Sequence, residues 1–236
     1  MGIRCLFHIH THHSFDSLLK PSAILSRARA MQADILIVTD HESKRGSDDV
    51  AELAEGNPRF VVHAGEYKTD KGDLIGLFLR REITSHDSNE VIHEIHGQGG
   101  LVVLPHPFKG HKLDDELLSQ IDLIEVTNSR CSESQNNSAV TLAEDLRKPV
   151  MGGCDAHCAR EIGAVITEFD CEPPTDERGL RAILVSAPRS IVAKKVSRAY
   201  QPYSQLIKAW KTRNPRLFAY QIKQLASVLA REALSQ

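Results

Sequence analysis

Short apolar runs rich in β-branched residues recur along the 236-residue chain and alternate with amphipathic stretches of helical period. The runs predicted as strands are IRCLF (3–7), ILIVT (35–39), FVVHAGE (60–66), LIGLFL (74–79), LVVLP (101–105), LIEVT (123–127), VMGGC (150–154) and IGAVI (162–166). Helices are predicted at 21–33, 88–100 and 138–148, where Pro, Ser and Gly stand at suitable ends. Because nearly every strand is followed by a helix, the pattern favours a parallel α/β sheet or barrel.

The composition is that of an ordinary globular protein, with 41% apolar and 25% charged residues. We find neither an apolar leader nor any run near the ~18 apolar residues that a membrane span requires. Five scattered cysteines argue against a disulfide framework and for a reducing compartment. These features predict a cytoplasmic protein that has no membrane partner.

Charge is distributed unevenly along the chain. Ten Lys and Arg residues but only one acidic residue follow Pro188, and two helices are predicted after about residue 199. We therefore predict a body at 1–198 and a basic helical extension at 199–236. The extension is expected to pack on the acidic body. The alternative is that its charge attracts an anionic partner such as nucleic acid. The oligomeric state stays open.

Ionisable residues close five of the predicted strands. His8 and His10 stand two apart at the end of the first strand, so strand geometry would place them on one face. The other strand ends carry Asp40 and His41, Glu66, His106, and Asp155 and His157. Such groups would repel or desolvate one another unless cations held them together. Because the potential ligands outnumber the four of a tetrahedral site, we predict several metal ions, with Glu66 as a candidate bridge.

The segment FHIHTHHSFDSLLKPSAILSRARAMQADILIVTDH resembles the opening of the PHP (polymerase and histidinol phosphatase) domain. The segments GEYKTDKGDLIGLFL, HEIHGQGGLVVLPHPFKG, LIEVTNSRC and MGGCDAHCAREIG follow in that family's order, across residues 3 to 170. The resemblance implies a distorted seven-stranded β/α barrel. It also implies two or three divalent metal ions (Mn, Zn or Fe) at the C-terminal rim, and hydrolysis of phosphate esters.

Eight positions match the family's metal ligands, which makes them the implied ligands here. They are His8, His10, Asp16, His41, Glu66, His106, Asp155 and His157. Phe7 departs from the family, which usually has Asp there, and Cys154 replaces a small polar residue. Asp73 stands where the family often has His, and we predict it as a further ligand because a carboxylate can bind a hard metal ion.

Two cations lie just past strand ends, and both are predicted to bind a substrate phosphate. They are Arg130 and Lys109, and Arg is suited to a bidentate contact. The predicted catalytic residues are Glu66, His41 and His106. Metal ions would activate a bound water as hydroxide, and His41 or His106 would protonate the leaving oxygen.

The predicted substrate is a small phosphomonoester, such as a nucleotide, a nucleoside bisphosphate or histidinol phosphate. One alternative is a nuclease that holds nucleic acid with the basic tail. Another is a non-catalytic metal-binding module. Among the remaining histidines, His12 and His13 are expected outside the ligand shell and His63 in the core or beside the ligands. His86 and His111 are expected in loops that follow strands, and a contact with the substrate is the lesser alternative for each of them.

Overall fold

The protein is described here by a computed structural model that covers residues 2–234. The strands are β1 (Ile3–Phe7), β2 (Ile35–Ile37), β3 (Phe60–Val62), β4 (Ala64–Thr69), β5 (Gly72–Leu77), β6 (Leu101–Leu104), β7 (Leu123–Asn128), β8 (Val150–Gly153), β9 (Val165–Phe169) and β10 (Arg189–Ala193). The helices are α1 (Pro21–Ala30), α2 (Arg45–Ala54), α3 (Ser88–Gly97), α4 (Asp115–Gln120), α5 (Glu133–Leu146), α6 (Glu177–Ser186), α7 (Tyr200–Lys211) and α8 (Pro215–Leu234).

The strands form two five-stranded mixed sheets. The first has the order β10-β9-β1-β2-β3, and the second has the order β4-β5-β6-β7-β8. Strands β1, β2 and β3 are parallel, as are β6, β7 and β8, whereas β9, β10, β4 and β5 pair antiparallel. The expected seven-stranded barrel is therefore not confirmed within residues 2–234. The strand–helix alternation gave no weight to antiparallel pairing. Strands β4 and β5 form a hairpin whose short connection needs no helix, and β10 pairs antiparallel with β9 although α6 lies between them in the chain.

The two sheets approach each other just past the ends of β1 and β2. Ile9 pairs with Ala156 across one junction, and His41 pairs with Glu66 across the other. Backbone hydrogen bonds reinforce the first junction, from Cys154 N to Phe7 O and from Ala156 N to His8 O. The residues predicted to bind metal therefore lie where the two sheets join.

A buried core lies between the sheets and draws on both. Phe7 and Ile35 contribute from the first sheet, and Ile75, Val103 and Met151 contribute from the second. Helices α1 and α2 cover the outer side of the first sheet, and α3, α4 and α5 cover that of the second. Phe7, at the position where the family usually has Asp, is thus a core residue with no exposed surface.

Several elements differ from the predicted ones. The run predicted as one strand over 60–66 is divided at His63, whose half-exposed imidazole bonds to Asp48 instead of entering the core. Strand β10 was missed, and the strand predicted at 162–166 lies at 165–169. All five cysteines are free thiols. Among residues 2–234, no helix combines the length and the apolar character that crossing a membrane requires.

Candidate metal centre

Eight ionisable side chains meet at the junction of the sheets, and they are the eight predicted from motif positions. Seven of the residues are buried, and the side chain of His41 keeps 19% of its surface exposed. The set comprises His8, His10, Asp16, His41, Glu66, His106, Asp155 and His157. Burying so many ionisable groups costs free energy unless charges of opposite sign compensate, so their convergence calls for bound cations.

Glu66 lies in the middle of this set. Its Oε2 is 3.4 Å from His8 Nε2, 3.6 Å from His10 Nε2 and 3.1 Å from His41 Nδ1. Its Oε1 is 3.3 Å from His106 Nε2. One carboxylate thus faces four imidazoles, which is an arrangement suited to a group that bridges ions.

Two aspartates flank the histidines on the other side of the centre. Asp155 Oδ1 lies 3.5 Å from His10 Nε2 and 3.9 Å from His8 Nε2. Asp16 Oδ2 lies 3.1 Å from His157 Nε2 and 3.6 Å from His41 Nε2. Each aspartate therefore contacts two imidazoles, while the rings of His10 and His157 also lie against each other, with centroids 4.1 Å apart.

Three overlapping groups have donor atoms within 4.8 Å of one another. They are His10–His41–His157, His8–Glu66–His106 and His8–His10–Asp155. A fourth group of this kind, His12–His13–Asp49, lies at the surface outside the centre. Asp73 and Asp16 belong to none of these groups, but Asp16 pairs with His41 and His157, whereas the Asp73 carboxylate forms no ion pair with a predicted ligand among residues 2–234.

Three of the histidines are oriented in the same way, by a hydrogen bond from Nδ1. His8 Nδ1 bonds to the Glu125 carboxylate at 2.8 Å, and His157 Nδ1 bonds to the Asp155 carbonyl at 2.9 Å. His10 Nδ1 bonds to Ser14 Oγ at 3.2 Å. Because each Nδ1 faces an acceptor, it carries the proton, and the lone pair of Nε2 is directed at the centre. A metal ligand requires this tautomer.

Several buried polar atoms of the centre's side chains have no hydrogen-bond partner among the described residues. They are His8 Nε2, His10 Nε2, Asp16 Oδ1, Glu66 Oε2 and His106 Nδ1. Buried polar atoms are nearly always paired, so five orphans at one place require an explanation. Divalent cations would satisfy those that face other ligands, His8 Nε2, His10 Nε2 and Glu66 Oε2, and the nitrogen and carboxylate donor set fits such ions.

The electrostatics point the same way. Burial works against the charged form of Glu66, yet His8 and His41 hold the pKa of its carboxyl well below the usual value. Burial also opposes a charge on His8, but Glu125 and Glu66 raise its pKa well above the usual value. Burial and the neighbouring His157 and His41 lower the pKa of His10 to about 3. These shifts favour the ionised carboxylate of Glu66, whose charge either protons on the histidines or bound cations would balance.

Glu125, on β7, is a functional residue that the sequence analysis missed. Its Oε1 contacts His8, and its Oε2 accepts hydrogen bonds from His106 N at 2.8 Å and Asn128 Nδ2 at 2.9 Å. It approaches so closely because Gly153 has no side chain, since a Cβ there would lie 1.6 Å from Glu125 Oε1. The available signal was a carboxylate within the otherwise apolar strand LIEVT.

The backbone at three of the centre's residues adopts the left-handed region. The φ angles are 65° at His8, 29° at His106 and 47° at Asp155. Such values are uncommon outside glycine and often mark functional sites. Strand β1 ends at Phe7, so it is this turn of the backbone, and not strand alternation, that brings His8 beside His10.

The two predicted substrate cations occupy different surroundings. The side chain of Arg130 is buried, and its Nε and Nη2 donate to the two oxygens of Glu161 at 2.8 and 2.9 Å. Its Nη1 donates to Ser204 Oγ at 2.9 Å, which leaves the guanidinium engaged within the protein. Lys109 lies at the edge of the centre, with Nζ 3.5 Å from Asp155 Oδ2 and 35% of its side chain exposed. Of the two, Lys109 has the freer charge.

His111 lies beside the centre, close to where Asp73 was expected to contribute. Its Nε2 bonds to the Asp73 backbone carbonyl at 2.7 Å, and its ring centroid is 5.6 Å from that of His106. Its Nδ1 is buried and has no partner in the described chain. The loop after β6 thus contributes an imidazole that the sequence analysis held only as a lesser alternative.

Comparison with known proteins places the chain among relatives. It is 33% identical to the protein MJ1587 of Methanocaldococcus jannaschii, over 52% of this chain and 80% of that protein. The protein MJ0417 of the same organism is 29% identical, over 87% of this chain and 86% of that protein. Residues 133–185 match the family PHP_C, described as PHP-associated. The chain belongs to the PHP family. The motifs recognised in the sequence and the assembled rim agree with this membership.

Solved structures share the fold of this PHP chain. One is from Bifidobacterium adolescentis and is provisionally assigned as a metal-dependent phosphoesterase. Its TM-score is 0.57 and its identity 17%, over 76% of this chain and 95% of that one. Another is Endonuclease Q in complex with a 27-mer duplex that carries an abasic lesion at the active site. Its TM-score is 0.54 and its identity 13%, over 80% of this chain and 58% of that one.

Proposed function

We propose that this protein is a metal-dependent hydrolase of phosphate esters, with a small phosphomonoester as substrate. The observation that carries the proposal is the buried set of eight potential ligands around Glu66, in which five polar atoms lack a partner. Bound divalent ions would hold phosphate oxygens and activate water for attack on phosphorus. The fold shared with a provisionally assigned metal-dependent phosphoesterase supports this reaction class.

The ligand assignment follows from the three groups. His8, His106 and Glu66 form one position, His10, His41 and His157 form a second, and Asp155 lies between His8 and His10 as a further ligand. Asp16 completes the second position through its contacts with His41 and His157. Two ions follow from this arrangement, and Asp155 offers room for a third. Nitrogen and carboxylate donors together suit Mn²⁺, Zn²⁺ or Fe²⁺.

Lys109 and His106 are proposed to act on the substrate. The ammonium of Lys109, at the edge of the centre, would contact a phosphate oxygen and offset its charge. His41 has a carboxylate against each ring nitrogen, whereas His106 Nδ1 has no partner among the described residues. We therefore assign the hydrogen bond to the leaving oxygen to His106, whose Nδ1–H can donate while Nε2 binds a metal ion, and not to His41.

The nuclease alternative ranks second. The fold shared with Endonuclease Q favours it, but three of the ten basic residues that follow Pro188 already make contacts within the protein. Arg189 donates to backbone carbonyls, Lys211 does the same, and Lys208 lies over the ring of Phe15. A nuclease would need other cations to hold a phosphate backbone.

The test measures metal content and hydrolysis on the same preparations. Wild type, Glu66→Gln and the control Glu52→Gln, an exposed residue of α2, are loaded with Mn²⁺ or Zn²⁺ and dialysed. We expect at least two ions per chain and turnover of p-nitrophenyl phosphate in wild type and control, with both reduced in Glu66→Gln. Preferential turnover of bis(p-nitrophenyl) phosphate, together with activity on DNA that falls steeply as the salt concentration rises, would favour the nuclease. A folded wild type that binds fewer than two ions would refute the proposal.

A further inference from the structure

Lys211, on the last turn of α7, reaches from the C-terminal extension into the body of the protein. Its Nζ donates to the carbonyl oxygens of His12 at 2.8 Å, Ser14 at 2.7 Å and Ser17 at 2.8 Å. An ammonium has three protons, so these three bonds use all of them. The charge therefore holds a loop in place and is not offered to an external anion.

The loop it holds, residues 11–17, connects to three of the proposed ligands. Ser14 Oγ accepts from His10 Nδ1 at 3.2 Å and from His41 N at 3.0 Å, and it donates to Asp40 at 2.5 Å. Ser17 Oγ bonds to the carbonyl oxygen of His10 at 2.8 Å. Asp16, itself a proposed ligand, lies between the two carbonyls that Lys211 holds at Ser14 and Ser17.

Two further contacts from α7 lead to the same side of the centre. Lys208 Nζ lies 4.5 Å from the ring centroid of Phe15, and Phe15 stacks on His41 at 4.5 Å with an interplanar angle of 5°. Ser204 accepts from Arg130, whose partner Glu161 accepts from His157 N at 2.9 Å. Each contact thus ends at His41 or His157.

The other side of the centre is held by different elements. His8 and the backbone of His106 are bound by Glu125 on β7, and Glu66 belongs to β4. None of the hydrogen bonds that α7 makes in the described chain is made directly to Glu125, His8, Glu66 or His106, and the path from Arg130 to Glu125 runs through a backbone N–H and Asn128. The two proposed metal positions therefore differ in their direct supports.

We propose that α7 is a clamp on the metal centre, with Lys211 as a positioning residue for the site of His10, Asp16, His41 and His157. The inference rests on the proposed function only in that the centre binds metal. Loss of the ammonium would release three carbonyls around Asp16 and loosen the loop that orients His10 and His41. The site of His8, Glu66 and His106 would keep its geometry.

The first test compares Lys211→Met with Lys223→Met, which removes an exposed lysine of α8. Mn²⁺ and Zn²⁺ binding is measured by equilibrium dialysis and elemental analysis at fixed free metal, with thermal unfolding of each sample. We expect one binding site to weaken about 10- to 100-fold in Lys211→Met, as for other residues that support a ligand. The other site and both sites of Lys223→Met should match wild type. Binding in Lys211→Met that equals wild type at both sites, or that is weakened equally at both, would overturn the clamp.

A rescue experiment separates positioning from general destabilisation. Lys211→Ala leaves room at the three carbonyls, which ammonium or methylammonium can occupy, while tetramethylammonium has no N–H to donate. We expect the first two cations to restore the weakened site and tetramethylammonium to leave it weak. Identical behaviour of all three would refute the role of Lys211. If neither variant at Lys211 folds, Lys208→Met is measured in the same way, and it must weaken one metal site and leave the other unchanged.

These outcomes are distinguishable from failure of the proposed function. Metal binding is the measured quantity, so a wild type that binds its ions but hydrolyses no ester would refute the proposed reaction alone. A wild type that binds its ions and hydrolyses p-nitrophenyl phosphate, with Lys211→Met unchanged in both, would refute the clamp alone.

Discussion

Glu125 Oε1 lies 2.8 Å from His8 Nδ1, and this contact decides which nitrogen of His8 faces the centre. Because the buried carboxylate accepts a hydrogen bond from Nδ1–H, Nε2 is left as the donor to a metal ion. The other oxygen, Oε2, accepts from His106 N and from Asn128 Nδ2. One side chain thus orients ligands on two segments of the chain.

Glu125→Gln is expected to weaken metal binding about 10- to 100-fold, in the range typical of residues that orient ligands. The amide keeps one acceptor oxygen, and its NH₂ group must then oppose either the His8 Nδ1 proton or the donors at His106 and Asn128. The measurement is the Mn²⁺ dissociation constant by calorimetry. Asp122→Asn is the control, since Asp122 forms a similar pair with His96 away from the centre. Equal affinities in wild type and Glu125→Gln would contradict this role.

Gly153→Ala is expected to displace Glu125 and to reduce metal content. A Cβ at this position would lie 1.6 Å from Glu125 Oε1 and 2.9 Å from His8 Cβ, so the carboxylate must move. Gly97→Ala is the matched control, because a Cβ there meets nothing within 4 Å. Elemental analysis should show fewer ions per chain for Gly153→Ala alone. Full metal content in that variant would mean that the contact between Glu125 and His8 is dispensable.

The sequence was sufficient to predict where the centre forms, and less so to predict how the sheets are built. His8, His41, His106 and Asp155 follow the ends of strands that belong to the parallel parts of the two sheets, and such ends meet at one edge, whereas Glu66 lies within the antiparallel strand β4. The antiparallel hairpin β4–β5 was missed although its turn, Asp70–Gly72, separates two short runs with a glycine at a φ of 123°. Strand β10 has no fully buried residue, so its sequence carries little apolar signal.

Long-range partners account for the other differences at the site. Arg130 stands at a position suited to a substrate cation, but Glu161, 31 residues away, engages its guanidinium. No local sequence pattern predicts the pair of Arg130 and Glu161. The same holds for Lys211, whose carbonyl partners lie 194 to 199 residues earlier. The basic tail could be recognised from its composition, but its attachment to the centre could not.

Asp73→Asn is expected to leave the metal stoichiometry unchanged. Asp73 belongs to none of the groups whose donor atoms converge within residues 2–234, although its position in the family pattern predicts a ligand. Asp155→Asn provides the contrast, because its Oδ1 lies 3.5 Å from His10 Nε2. Elemental analysis of both variants at fixed free Mn²⁺ decides between the alternatives. Loss of an ion in Asp73→Asn would restore Asp73 to the ligand set.

Cys131 is expected to react slowly with iodoacetamide near neutral pH. Burial raises the pKa of its thiol to about 11, so only about one thousandth is thiolate at pH 8. Because the thiolate is the reactive form, the alkylation rate should rise about tenfold per pH unit between pH 8 and pH 10. Mass spectrometry of the peptide containing Cys131 follows the rate, with urea-unfolded protein as reference. A plateau below pH 9.5 in the folded protein would contradict the expectation.

Arg130→Met is expected to destabilise the protein, because it leaves the Glu161 carboxylate buried without its cation. Removing one partner of a buried pair typically costs about 3–5 kcal/mol in the free energy of unfolding. Glu161 Oε2 also accepts from His157 N at 2.9 Å and Cys158 N at 3.0 Å, so the loss should reach the metal centre. Urea unfolding of wild type and variant measures the change.

The same experiment separates this role from the substrate contact that the sequence predicts for Arg130. A residue that only binds phosphate would raise KM for p-nitrophenyl phosphate and leave the free energy of unfolding near that of wild type. Lys109→Met should show that second behaviour, because the Lys109 side chain is one-third exposed and pairs only loosely with Asp155. Unchanged stability in Arg130→Met, together with a raised KM, would return Arg130 to the substrate site.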